Sequence, residues 1–173
     1  YQVAIDAGCS REEALRCCYE NSRDNARTPM QWTDDENAGF TDGMPWLAMN
    51  PNYRQINVRE QEARTDSVLV YYRRLVHLRK ADAYRETFTY GIFEPAYQEM
   101  ADVFAYYRVS GESGQRILVA ANFGTDAVSL PLAYSCRQVL LSNLRAESAV
   151  ETACEKANAL TLESCEVAVI ELG

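Results

Sequence analysis

Two stretches of this sequence hold residue types that could do chemistry. The first is "SRDNARTPMQW", Ser22 to Trp32, and the second is "NAGF", Asn37 to Phe40. Arg23, Asp24 and Arg27 stand at the head of the run. A planar guanidinium makes paired hydrogen bonds to a carboxylate or to adjacent hydroxyls. Aromatic walls beside such groups suit sugar rings, which have apolar faces and hydroxyl edges. The same arginines and aspartate would equally serve to knit the loop to its own fold. Residue types and spacing establish only an ordered, packed, polar loop.

Other chemistries find no set of residues. "DDENAG" (Asp34 to Gly39) puts acids at two positions of a calcium loop, but Ala38 falls where an oxygen ligand is needed and no glutamate closes the loop. "GESG" (Gly111 to Gly114) lacks the spacing and following helix of a phosphate cradle, so it reads as a turn. The single histidine, His77, lies within a helical run without a Ser, Cys or acidic partner nearby in sequence. A carboxylate pair for glycoside hydrolysis is not readable either, since its members come from separate strand ends. No catalytic residue, cofactor or metal is assigned. The six cysteines (Cys9, Cys17, Cys18, Cys136, Cys154, Cys165) contain no Cys-x-x-Cys pair. They are expected to be buried, reduced thiols acting as small apolar side chains, which fits a cytoplasmic setting.

The bulk properties narrow the partners. The 173 residues make one large domain or two small ones, 47% hydrophobic and 24% charged. With 17 basic against 25 acidic residues the net charge is -8, so a phosphate backbone is repelled and nucleic acid is not expected as a partner. Apolar runs fall well short of the roughly 20 residues of a membrane helix, and no membrane association is expected. The chain opens "YQVAIDAG", without a signal-peptide pattern.

These residues must be positioned by two kinds of segment. "SREE" has the spacing of a capping box between Ser10 and Glu13, predicting a helix from about Arg11 to Glu20. From Asn21 to Arg64 no period persists, and prolines and glycines interrupt a long loop that nonetheless carries Trp32, Phe40, Trp46 and Tyr53. "TDSVLVYYRRLVHLRK" predicts a helix capped by Thr65 or Asp66, with Val68, Tyr71, Tyr72, Leu75 and Leu78 on one face. After about residue 85 the period becomes two. "VFAYYRVS" and "RILVAANF" form a hairpin across "GESGQ", and "DAVSLPL", "RQVLLSN", "ALTL" and "EVAVIEL" supply further antiparallel strands. Val103, Ala105 and Tyr107 should share one face, and Phe104, Tyr106, Tyr107 and Phe123 look like core.

"SRDNARTPMQW", "NAGF" and "NPNYRQINV" (Asn50 to Val58) resemble successive landmarks of the oligo-1,6-glucosidase and α-glucosidase branch of the α-amylase superfamily, glycoside hydrolase family 13. "YYRRLVHLRK", "ILVAANF" and "EVAVIEL" continue the resemblance over nearly the whole chain. It implies a fragment: residues 1–85 as the end of a (β/α)8 barrel, with its active-site loop and last helix, and residues 86–173 as an all-β antiparallel sandwich, domain C. The fold class expected is therefore α+β. The family's nucleophilic Asp, acid/base Glu and stabilising Asp precede this region, and its N-H-D motif is absent here. Arg23 is implied to help hold the terminal glucose of an α-linked oligosaccharide in the intact enzyme, with Asn37 and Phe40 shaping the same wall. The missing N-terminal barrel is the implied partner, and self-association through the barrel-facing surface is a further expectation. Two other readings are a non-catalytic, transporter-heavy-chain-like member of the superfamily and a free-standing carbohydrate-binding sandwich.

Overall fold

The computed structural model describes residues 1–21, 23 and 26–173. The chain forms two compact units, Tyr1–Thr65 and Asp66–Gly173.

In the first unit, helix α1 (Gln2–Asp6) is followed by α2 (Arg11–Asn21). The capping box closes as the sequence predicts. The Ser10 N–H and hydroxyl donate to Glu13 Oε2 at 2.9 and 2.7 Å, and the Glu13 N–H returns to Ser10 Oγ at 3.2 Å. From residue 27 the chain is irregular, with 3-10 turns at Glu36–Gly39 and Pro51–Arg54. A short helix α3 (Val58–Ala63) interrupts the predicted loop. Its cap is the buried Asn57, whose side chain accepts from the Glu60 N–H at 2.9 Å and donates to the Tyr53 carbonyl at 2.8 Å.

The second unit opens with α4 (Val68–Lys80), which is capped by Ser67 and not by Thr65 or Asp66. The Ser67 hydroxyl reaches the Val70 N–H at 3.2 Å. Helix α5 (Asp82–Tyr90) then leads into β1 (Ile92–Ala96), β2 (Val103–Val109), β3 (Arg116–Asn122), β4 (Val128–Pro131), β5 (Cys136–Ser142), helix α6 (Glu147–Ala157), β6 (Ala159–Leu162) and β7 (Val167–Leu172). The large sheet has the order β1-β2-β3-β7-β5 and the small one pairs β4 with β6, all antiparallel. The β2–β3 hairpin closes where the sequence placed it, with the Ser110 N–H donating to the Gln115 carbonyl at 2.9 Å. The hydrophobic period changes near residue 85, whereas the compact units divide at Thr65, because α4 and α5 pack on the sheet.

Alternation along the strands sorts the core into two layers. Ala105, Leu118, Ala120, Ala168 and Ile170 face inward onto Leu130, Leu160 and Leu162 of the small sheet and onto Val150 and Cys154 of α6, with Val103 and Tyr107 on the same side. On the opposite face Ile117, Leu141 and Val169 pack under Tyr71, Leu75, Leu78, Tyr84 and Phe88 of α4 and α5. Helix α6 and strand β1 have no counterpart in the sequence reading, so a helix sits within the region read as all-β. Two expectations need correction. Phe104 and Phe123 are 56% and 72% exposed and do not belong to the core. All six cysteines are free, but only Cys154 is buried.

One charged group is wholly enclosed. Glu166, with no exposed surface, accepts from Arg145 Nε at 3.0 Å and Nη2 at 2.8 Å, from the Ser142 hydroxyl at 3.0 Å and from the Glu163 N–H at 2.8 Å. Arg145 Nη2 also donates to the Thr161 carbonyl at 2.6 Å. The knot ties the chain leaving β5 to the turn between β6 and β7. Burial alone would raise the Glu166 pKa, yet the Arg145 fork, the Glu163 N–H and the Ser142 hydroxyl outweigh it and hold the carboxyl below its ordinary value. A depressed carboxylate contributes stability above its unfolded pKa and loses it as pH falls through the folded value. Arg145→Met should therefore cost about 3 kcal/mol at neutral pH by stranding a buried charge. In urea titrations that cost should shrink as the pH falls below about 4.

Candidate functional site

The "NAGF" stretch folds as a left-handed turn. Asn37, Ala38 and Gly39 have φ of 50°, 55° and 64° in succession. Asparagine and glycine adopt this region readily, while alanine pays about 1–2 kcal/mol for it. Hydrogen bonding over-determines the strained residue. The Ala38 carbonyl accepts from the Trp32 N–H at 2.9 Å and the Thr33 N–H at 3.0 Å, and its own N–H donates to the Asp35 carbonyl at 2.9 Å. The Ala38 methyl is fully buried. Both donors of the Asn37 amide are spent on the loop itself, at 3.2 Å to the Thr41 carbonyl and 3.1 Å to that of Gly43.

A second set of bonds fastens "QWTDD" to the start of α3. The Val58 and Arg59 N–H groups donate to the Gln31 and Trp32 carbonyls at 2.9 and 3.1 Å. The Gln31 amide donates to Asn52 Oδ1 at 3.0 Å. Arg59 forks across two neighbouring acids, 2.7 Å to Asp34 and 3.0 Å to Asp35. Asp35 also accepts the Thr33 hydroxyl at 2.8 Å, and that bond first, then Arg59, holds its carboxyl below the ordinary value. Asp35 is thus an ionised clamp, unsuited to donating a proton. Among the described residues no group of three His, Cys, Asp or Glu could hold a metal.

Of the sequence-predicted site residues, Asn37 is half-buried and sits inside the turn, while Phe40 is exposed just after it. Arg23 is also exposed, and its carbonyl accepts the Ala26 N–H at 3.1 Å. Asp24, expected to pair with the arginines, lies outside the described residues. The same loop displays Met44 and Trp46 at 97% and 91% exposure, with Met30, Trp32 and Ile56 about half exposed. Arg59 was missed by sequence reasoning because its acids lie some 25 residues away; the only signal was two adjacent aspartates without a cation beside them.

Aromatics on the sheet form a different surface. Phe93, Tyr106 and Phe104 lie side by side across β1 and β2, with ring centroids 4.9 and 5.7 Å apart but planes inclined at 31° and 63°. Such tilts deny a sugar a flat stacking platform.

Gly39→Ala tests the turn. A Cβ there would stand 2.6 Å from Thr33 Oγ1 at a φ of 64°, so the substitution should weaken the loop by about 1–3 kcal/mol. Both tryptophans of the chain, Trp32 and Trp46, lie in this loop. Their fluorescence should shift to an earlier unfolding midpoint in the variant while the far-ultraviolet signal of the sheet holds.

The chain is similar to known proteins. The alpha-amylase model, described as the alpha amylase catalytic domain, matches residues 2–91. Oligo-1,6-glucosidase of Bacillus cereus is 38% identical over 151 residues, which are 85% of this chain and 26% of that protein. Glucan 1,6-alpha-glucosidase of Streptococcus pneumoniae is 38% identical over 148 residues, 86% of this chain and 26% of its own length. Among solved structures, isomaltulose synthase from Klebsiella sp. LX3 superposes with a TM-score of 0.82 at 33% identity, covering 99% of this chain and 30% of that one. Trehalose-6-phosphate hydrolase of Bacillus licheniformis gives 0.81 at 30% identity, over 100% and 30%. The chain spans about a quarter of the length of the curated relatives it matches. With its family model covering helices α1 to α5, the left-handed turn and the Arg59 clamp alike, the chain belongs to the α-amylase family.

Proposed function

We propose that this chain is the C-terminal part of a retaining, exo-acting α-glucosidase that releases glucose from isomalto- or malto-oligosaccharides. Residues 1–85 supply the end of the catalytic barrel and residues 86–173 form domain C. The observation that carries the reading is the loop itself. It is tightly hydrogen-bonded, yet it holds Phe40, Met44 and Trp46 out to solvent, the arrangement of a wall built to face something else. Relatives named oligo-1,6-glucosidase and glucan 1,6-alpha-glucosidase support an α-linked glucoside as the substrate class.

In this reading Arg23 donates paired hydrogen bonds to sugar hydroxyls, Phe40 offers an apolar face to the ring, and Asn37 is a positioning residue whose amide holds the turn. Retaining hydrolysis needs two carboxyl groups roughly 5 Å apart across one bond. Asp34 and Asp35 are neighbours held by one arginine, so the chemical step falls to carboxylates elsewhere in the enzyme. The exposed apolar wall meets the barrel, and self-association through it is the competing occupancy.

Joining this chain to the preceding three quarters of the Bacillus cereus relative tests the reading. The chimera should hydrolyse a chromogenic α-glucoside, and Arg23→Ala within it should lower kcat/KM about 100-fold. An unchanged kcat/KM would remove Arg23 from the site. The chain alone should show no turnover; hydrolysis above its own Arg23→Ala control would mean that the chemistry lies within these residues.

A further inference from the structure

We propose that Cys136 and Cys154 are a disulfide-forming pair, closed by a low-molecular-weight disulfide of the glutathione type, that fastens helix α6 to strand β5. Cys154 belongs to the inner core and Cys136 packs against it half-buried. Each thiol acts on the titration of the other, and both side chains belong to the same neighbourhood of the inner core. The two elements are already registered beside the pair. The Val139 N–H, three residues after Cys136 on β5, donates to Glu151 Oε2 at 3.0 Å, and Glu151 lies three residues before Cys154 on the same face of α6. Two cysteines carried by elements that already pack on one another need little backbone movement to bridge. Metal capture does not compete, because no third His, Cys, Asp or Glu completes a set among the described residues.

The chemistry balances as two exchanges. The Cys136 thiolate, the more accessible of the two, attacks one sulfur of the oxidised tripeptide, forming a mixed disulfide and expelling one glutathione thiolate. The Cys154 thiolate then attacks the Cys136 sulfur, forming the internal bond and expelling the second glutathione. Two protein thiols lose two protons and two electrons, and one glutathione disulfide becomes two thiols. Burial pushes both thiols up, Cys154 to about 12, so closure is slow at neutral pH and accelerates as the medium becomes alkaline.

The test incubates the full chain with oxidised glutathione at about pH 9, then alkylates it after unfolding and maps the peptides without reduction. A linked peptide joining Cys136 to Cys154 is expected, with a thermal midpoint higher by roughly 5–10 °C. The Cys136→Ser chain, whose change lies at a half-buried position, should keep the reduced protein's melt, lose the linked peptide and leave Cys154 free to alkylate. Oxidation that stops at a glutathione adduct on Cys136, or that consumes only the exposed Cys17 and Cys165, would overturn the proposal.

Discussion

The second unit depends on one pairing, that of β3 with β7. The two strands run side by side from Arg116↔Leu172 to Ala121↔Val167, and neither has a side facing water along its length. Leu118, Ala120, Ala168 and Ile170 bury one face, and Ile117 and Val169 bury the other. Every other element of the unit except β1, which pairs with β2, attaches to this pair. The small sheet and α6 cover the inner face, α4 and α5 cover the outer one, and β2 and β5 extend the ladder to either side. Strands buried on both faces are nearly continuous apolar runs, which is how "RILVAAN" and "VAVIEL" read.

That explains which elements were legible. Central strands announce themselves because both faces demand apolar side chains, and α2 announces itself through a capping box that is local in sequence. Strand β1 did not, because Glu94 and Pro95 break its composition; an edge strand tolerates both. Helices α5 and α6 have Ala81 and Ala146 at their N-caps, which make no side-chain hydrogen bond, so neither carries a capping signal. Phe104 and Phe123 were misjudged for the opposite reason: an aromatic in an alternating strand looks the same whether its face is covered or open.

The candidate site divides along the same line. That residues 26–64 form a packed, hydrogen-bonded segment was legible from their aromatics and prolines. Its construction was not. A left-handed Ala38 contradicts the intrinsic preference of its own residue type, and only the carbonyl bonds to Trp32 and Thr33 hold it there. Violations of local rules concentrate where an arrangement is imposed by the surroundings. Here the imposed shape aims Phe40 away from the loop's own interior.

The position of β7 has a consequence for synthesis. An interior strand of the large sheet, β7, is the last strand in sequence order, whereas β1, β2 and β3 form a consecutive meander. At ~5–20 residues per second, β7 leaves the ribosome seconds after β3. Through that interval β3 presents an unpaired ladder of backbone groups beneath two apolar faces, the kind of edge on which neighbouring chains dock. Translation speed between Phe123 and Glu166, more than the stability of the finished sheet, governs how long that edge stays open.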